Sequence, residues 1–185
     1  MMLAQIREGL TRIDPREITC TRDIRAAVMV PIFVHQDRLH IVLTKRTDNM
    51  KAHPGEISFP GGMYEERDSD TRKTALRECC EEIGVKASDV EIIGRLDDER
   101  TLTGFVITPY VGIIPYPYTF KISQKEVAYL IHLPYEHLKG NAPVREETNY
   151  RGELETVDAL YYNGERIWGA TCRILLKLKR IAHDE

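Results

Sequence analysis

The chain has 185 residues, of which 42% are hydrophobic and 30% charged, and its formal net charge is −3. That length suits one domain with one core, and that balance excludes a disordered or collagen-like chain. A weakly acidic chain has no general attraction for nucleic acid or an anionic membrane, so neither is expected as a partner. A phosphate-rich substrate needs local cations or metal ions.

Leu3, Ile6 and Leu10 recur at helical spacing and predict a short amphipathic helix over 2–12, ended by Asp14-Pro15. Arg, Glu and Asp are interspersed through residues 1–25, without the apolar core of a signal peptide, and the longest apolar run, 26–34, is too short for a membrane helix. The four cysteines, Cys20, Cys79, Cys80 and Cys172, lack zinc spacing. A cytoplasmic protein with reduced thiols is expected. Apolar, β-branched runs at 26–35 and 39–45 predict a hairpin turning at 36–38. A Gly/Pro-rich loop follows through His53-Pro54-Gly55 and Phe59-Pro60-Gly61-Gly62, with one short strand at 56–58.

The clearest predicted helix runs over 70–83, capped by Ser69 or Asp70 and stopped by Gly84. Leu76, Cys79, Cys80 and Ile83 fall at i, i+3, i+4 and i+7 and are expected as its buried stripe, with both cysteines in the core. Strands follow at 90–96, 105–115 and 127–133, then a short helix at 134–138, a strand at 156–162 and a helix at 167–181, where Trp168 is expected to pack. The irregular interleaving predicts an α+β chain of one domain, 1–185, built as an α/β/α sandwich around a mixed sheet.

Arg77-Glu78-Cys79-Cys80-Glu81-Glu82-Ile83-Gly84-Val85 carries the functional signal. Glu78, Glu81 and Glu82 share one helix face, where like charges cost about 0.2–0.5 kcal/mol per pair. Arg77 offsets part of that by pairing with Glu81 at i+4. Such a face alone reads as solvated charge; preceded by glycines that let backbone approach an ion or phosphate, it reads as a site for hard divalent cations.

Gly62, Asp68 and the run from Arg77 to Val85 resemble the Nudix box of the Nudix hydrolase superfamily. Two positions differ from the usual box: Asp68 stands for Glu, and the stretch to Arg77 is one residue longer. Leu43-Thr44-Lys45-Arg46-Thr47, then Lys51, Gly55 and Phe59-Pro60-Gly61-Gly62, is similar to the signature of the coenzyme A diphosphatase branch, with Thr47 for Ser/Ala and Lys51 for Arg. Weaker echoes occur at Glu126-Val127 and 167–171.

The resemblance implies a Nudix-type sandwich that hydrolyses the diphosphate of coenzyme A or acyl-CoA to 3′,5′-ADP and 4′-phosphopantetheine. It implies Mg²⁺ or Mn²⁺ held by Glu78, Glu81, Glu82 and a carbonyl near Gly62. Arg77 is expected to orient the glutamates and Glu126 to supply a base. Lys45, Arg46, Lys51, His53 and Gly61 are expected at the substrate, although three cations at a strand end also read as surface charge. The aromatic stretch 110–120 suits either base stacking or an ordinary strand. A diphosphatase for ADP-ribose, NADH or another nucleoside diphosphate derivative is the alternative within enzymes. A non-catalytic Nudix-fold binding domain is the alternative outside them. The terminal helices are expected to pack within the chain or across a homodimer.

Overall fold

The computed structural model describes residues 2–19, 23–150 and 152–182. Among them, helix α1 spans Met2–Arg12, strand β1 Ile24–His35, β2 Arg38–Arg46, β3 Ile57–Ser58, β4 Gly61–Met63 and helix α2 Thr71–Ile83. Strands β5 (Glu91–Arg95), β6 (Glu99–Arg100), β7 (Phe105–Ile113) and β8 (Val127–Pro134) follow. Helix α3 (Tyr135–Gly140), strands β9 (Val144–Tyr150), β10 (Glu153–Tyr162) and β11 (Glu165–Trp168), and helix α4 (Gly169–Ile181) complete the order.

Eight of these strands form one mixed sheet, with β1 and β7 parallel and the other pairs antiparallel. The β1–β2 hairpin turns on two residues, Gln36 and Asp37, both at positive φ, the geometry that matches strand twist. Strand β1 then changes partner. Its C-terminal half, Ile32–His35, pairs with β2, whereas Ala26, Ala27 and Val28 pair with Met63, Gly62 and Gly61 of β4. Strand β2 correspondingly pairs β3 through Thr44 and Lys45. The glycine-rich loop is thereby stitched into the seam between the two longest hairpin strands.

Strict alternation along β1 sorts side chains to two cores. Val30 and Ile32 join α1, α3 and α4 through Ile6, Leu10, Leu138, Ile174, Leu175 and Leu178. Ala27, Met29 and Phe33 face α2 through Ala75, Leu76, Cys79 and Ile83. Helices thus cover both faces of a mixed sheet, and the α+β sandwich is the architecture observed. Strands β9, β10 and β11 form a separate antiparallel sheet that packs on α4. Helices α1 and α4 pack on each other within the chain.

Two expectations need correction, and one strand had not been expected. Cys80 is exposed, because the buried arc of α2 runs through Leu76, Ile83, Cys79, Ala75 and Glu82 on the side of the helix away from it. Helix α4 begins at Gly169, because Ile167 and Trp168 belong to β11, paired with Leu160 and Ala159. Residues 144–150 form a strand with no apolar alternation, since β9 is the edge of the small sheet. Cys79 and Cys172 are buried free thiols, and Cys20 lies outside the described residues. No helix among the described residues is long and apolar enough to cross a membrane.

Candidate active site

Helix α2 begins where the Asp70 side chain accepts the Lys73 backbone N–H at 2.8 Å. It stops at Gly84, whose φ of 73° is the left-handed cap, with its N–H bonded to the Cys80 carbonyl. At 100° per residue, Glu81, Glu78 and Glu82 occupy an arc of about 100° that turns progressively into the core. Their exposures follow that rotation: 51% for Glu81, 14% for Glu78 and 3% for Glu82.

Arg77 is the hub of the exposed end of this arc. Its Nε and Nη2 both reach the Asp68 carboxylate at 3.0 Å, and Nη1 reaches Glu78 at 2.7 Å and Glu81 at 3.2 Å. Nη2 also donates to the Met63 carbonyl, so one guanidinium ties the loop to the helix. Asp68 is buried and further accepts the Thr74 hydroxyl and the Glu65 N–H. Hydrogen bonding from Arg77 outweighs burial and holds the Asp68 carboxyl at about 2. With its oxygens committed, Asp68 is an anchor of the loop.

The buried end of the arc is different. Burial pushes the Glu82 carboxyl up to about 8, against a lowering by the Arg46 charge and the Gly61 N–H, while Glu78 and Glu126 push it further up. Glu78 is raised as well, by burial first, with Arg77 opposing and Glu81 and Glu126 adding to it. Glu126, on the loop before β8, therefore lies within electrostatic reach of both acids. Gly62 stands directly against Glu78: a Cβ there would lie 2.6 Å from the carboxylate carbon. A larger residue at this position would have to push the Glu78 carboxylate aside.

Beside these residues lies a cleft of about 300 Å³. One wall comes from Ala26, Val28, Gly61, Gly62 and Met63, and Arg46, His53 and Glu56 stand along it. The Arg46 Nε is buried with no hydrogen-bond partner, an orphaned cationic donor. His53 pairs with Glu56 at 3.0 Å, which raises its pKa above the usual imidazole value. Of the residues expected at the substrate, Arg46, His53 and Gly61 thus share one cleft. Lys45 and Lys51 do not reach it: Lys45 pairs with Glu165 at 2.7 Å, and Lys51 is exposed outside the lining. The aromatics of 110–120 are elsewhere too; Tyr116 stacks on Phe33 and Phe120 tilts against His132, on the α2 side of the sheet.

The opposite wall was not apparent from the sequence. Thr101, Leu102, Thr103 and Phe105 supply part of it, and Val157, Trp168 and Thr171 another part. The Trp168–Thr171 stretch carried a signal only as a weak motif echo.

Among the described residues no three His, Cys, Asp or Glu side chains converge as a ready metal cage, and Arg77 bridges Glu78 and Glu81. The residues nonetheless fit a hard divalent cation. The donors are oxygens, burial raises the carboxyls of Glu78 and Glu82 so that their charged forms lack full compensation from the protein, and Gly62 brings its backbone up to the Glu78 carboxylate.

A carboxylate helix thus lies locked to a glycine loop, beside a cleft in a mixed-sheet sandwich. The chain belongs to the Nudix family: the NUDIX domain model matches residues 23–162. It is 36% identical over 154 residues to the uncharacterized Nudix hydrolase NudL of Yersinia enterocolitica, covering 83% of this chain and 78% of that one. It is also 34% identical to NudL of Escherichia coli over 157 residues, 83% of this chain and 80% of the other. Among solved structures, the MutT/nudix family protein from Enterococcus faecalis superposes with a TM-score of 0.57 at 17% identity, over 95% of this chain and 67% of that one. The NUDIX domain of Shewanella oneidensis NrtR, complexed with ADP ribose, gives 0.52 at 21% identity, over 72% and 85%. These two likenesses show the shared fold. Family membership makes the chain a Nudix hydrolase, an enzyme class that generally uses divalent metal ions.

Proposed function

We propose that the enzyme hydrolyses the diphosphate bond of coenzyme A or acyl-CoA, giving 3′,5′-ADP and 4′-phosphopantetheine or its acyl derivative, with Mg²⁺ or Mn²⁺ as the activating ion. The observation that carries this reading is the half-buried Glu78 and the buried Glu82 held against Gly62 and Gly61, the same glycines that line a cleft together with Arg46. The resemblance of residues 43–62 to the coenzyme A diphosphatase signature selects the substrate. All three helix glutamates and Arg77 are present, which favours catalysis over a binding-only role.

In this reading Glu78, Glu81, Glu82 and the Gly62 carbonyl would hold the cation, which would neutralise diphosphate oxygens and lower the pKa of a water. Arg77 fixes Glu78 and Glu81 in position and keeps the loop docked. Glu126 accepts the proton of the attacking water. Arg46, a fork of donors, and His53 receive phosphate oxygens, and the Gly61 backbone lets the diphosphate approach. Lys45 and Lys51 are given no contact. The chain works as one domain in the cytoplasm on a small molecule.

Purified protein with Mg²⁺ or Mn²⁺ is offered coenzyme A, acyl-CoA, ADP-ribose, NADH and nucleoside triphosphates, and products are resolved by chromatography. Release of 3′,5′-ADP from coenzyme A, well above turnover of the others, is expected. Preference for ADP-ribose or NADH overturns the substrate and keeps the helix chemistry. Absence of any turnover overturns the reading altogether.

A further inference from the structure

The chain contains one tryptophan, Trp168. It closes β11, where alternation sends Ile167 into the core and puts Arg166 and Trp168 together on the other side of the strand. The Arg166 guanidinium lies 4.6 Å over the indole ring. Arg166 is itself held by Glu146 and, at 3.1 Å, by the Thr148 hydroxyl. Gly169 follows at a φ of 60°, and α4 starts there, so the backbone on both sides of the ring is fixed. One surface of the indole is therefore covered by an immobilised cation, and Trp168 is among the residues that line the cleft. Its N–H has no protein acceptor among the described residues. Ile57, Phe105 and Val157 line the same cleft, and Thr101, Thr103 and Thr171 bring hydroxyls to it.

A rigid ring at a water-accessible, mostly apolar wall is a stacking surface, and it shares its cleft with the glycines that contact Glu78 and Glu82. We propose that Trp168 is the platform on which the substrate's purine base stacks, making it the specificity-determining residue for the nucleotide half. Arg166 is its positioning residue. The assignment rests on the diphosphatase reading for what is attached to the base, but binding of the base does not require turnover.

A single tryptophan makes the test direct. Its fluorescence is titrated in the presence of Mg²⁺ with adenosine 3′,5′-bisphosphate, cytidine 5′-monophosphate and 4′-phosphopantetheine. Saturable quenching by the adenosine compound is expected, with weaker binding of the cytidine compound and no change with phosphopantetheine. By calorimetry, Trp168→Leu, which keeps apolar volume and removes the ring, should bind the bisphosphate about tenfold more weakly, the order of one lost base–aromatic stack. Trp168→Phe should restore most of that binding, and thermal unfolding of both variants reports that they fold. Quenching by phosphopantetheine alone, no quenching by any of the three, or wild-type affinity in a folded Trp168→Leu overturns the proposal. Bisphosphate binding through Trp168 without coenzyme A hydrolysis sinks the proposed reaction and leaves the stacking platform standing. Coenzyme A hydrolysis that is indifferent to Trp168 does the reverse.

Discussion

Two buried acidic clusters lie in this molecule, and they are built in opposite ways. Around Asp98 and Glu99 the protein supplies its own cations. Asp98 receives Arg25 at 2.9 Å, Arg95 at 3.3 Å, the Thr108 hydroxyl and the Ile18 N–H, and Glu99 receives Arg173 and Lys177 at 2.6 and 2.7 Å. Around Glu82 no side-chain donor arrives among the described residues. It has the Gly61 N–H and a nearby Arg46 charge, set against burial and two neighbouring carboxylates. A buried carboxylate without a bonded counterion is costly, and folds retain one chiefly where something else arrives to neutralise it. The first cluster fastens the segment before β1 and helix α4 to the β5–β6 connection; in the proposed reading the second awaits a cation.

The sharpest way to break this contrast is Glu82→Gln. The amide still accepts from Gly61 and carries no charge, so the fold should hold and thermal unfolding should move little or rise. Turnover should fall on the order of 10³-fold, as when a focused electrostatic group is removed from an active site. Hydrolysis and thermal unfolding, measured on the same preparation, check both halves. Undiminished turnover would make Glu82 an ordinary buried polar residue.

The matching substitution in the other cluster is Asp98→Asn. Here the charge has a structural use, because Arg25 and Arg95 lose their partner. Breaking a buried ion pair from one side should cost about 3 kcal/mol, read from the urea midpoint. The Michaelis constant of the folded fraction should stay near that of the parent chain. A stability loss smaller than that of a surface ion pair would show that the cations of this cluster find water instead.

The two clusters also differ in how far they could be seen in the sequence. Helix α2 was legible because its cap, its stop and its acids are contiguous: Asp70, Gly84 and the three glutamates lie within 15 residues. The β1–β2 hairpin was legible for the same local reason. The Asp98 cluster gathers Ile18, Arg25, Thr108 and Lys177, and such tertiary ion pairs leave no periodic trace. The far wall of the cleft was hidden likewise, since Phe105, Val157 and Trp168 are joined only by the fold. Strands β4 and β6, of three and two residues, are too short for any alternation to show. The misplaced Cys80 has a more instructive cause. The apolar pattern assigned it a core station, but the buried arc of the helix turns the other way, onto Glu82, so a hydrophobicity rule failed beside the residue proposed to hold the cation.

Asp68 sharpens the comparison from within α2's own surroundings, because it is a buried acid beside the site that the protein does neutralise. Its carboxyl sits at about 2 in the folded chain against an ordinary 3.8, so folding favours the charged form. The resulting stabilisation is complete above the ordinary value and is lost as pH falls through about 2; it amounts to roughly 2 kcal/mol, at about 1.4 kcal/mol per unit. Asp68→Asn should therefore unfold at lower urea than the parent at pH 7, with the gap narrowing as the pH is taken below 4 and nearly closing near 2. Its turnover at pH 7 should fall less than that of Glu82→Gln, since Arg77 keeps Glu78 and Glu81 while the loop loosens. A gap that stays constant down to pH 2 would mean that Asp68 contributes shape and hydrogen bonds alone, and the contrast with Glu82 would then rest on burial instead of charge.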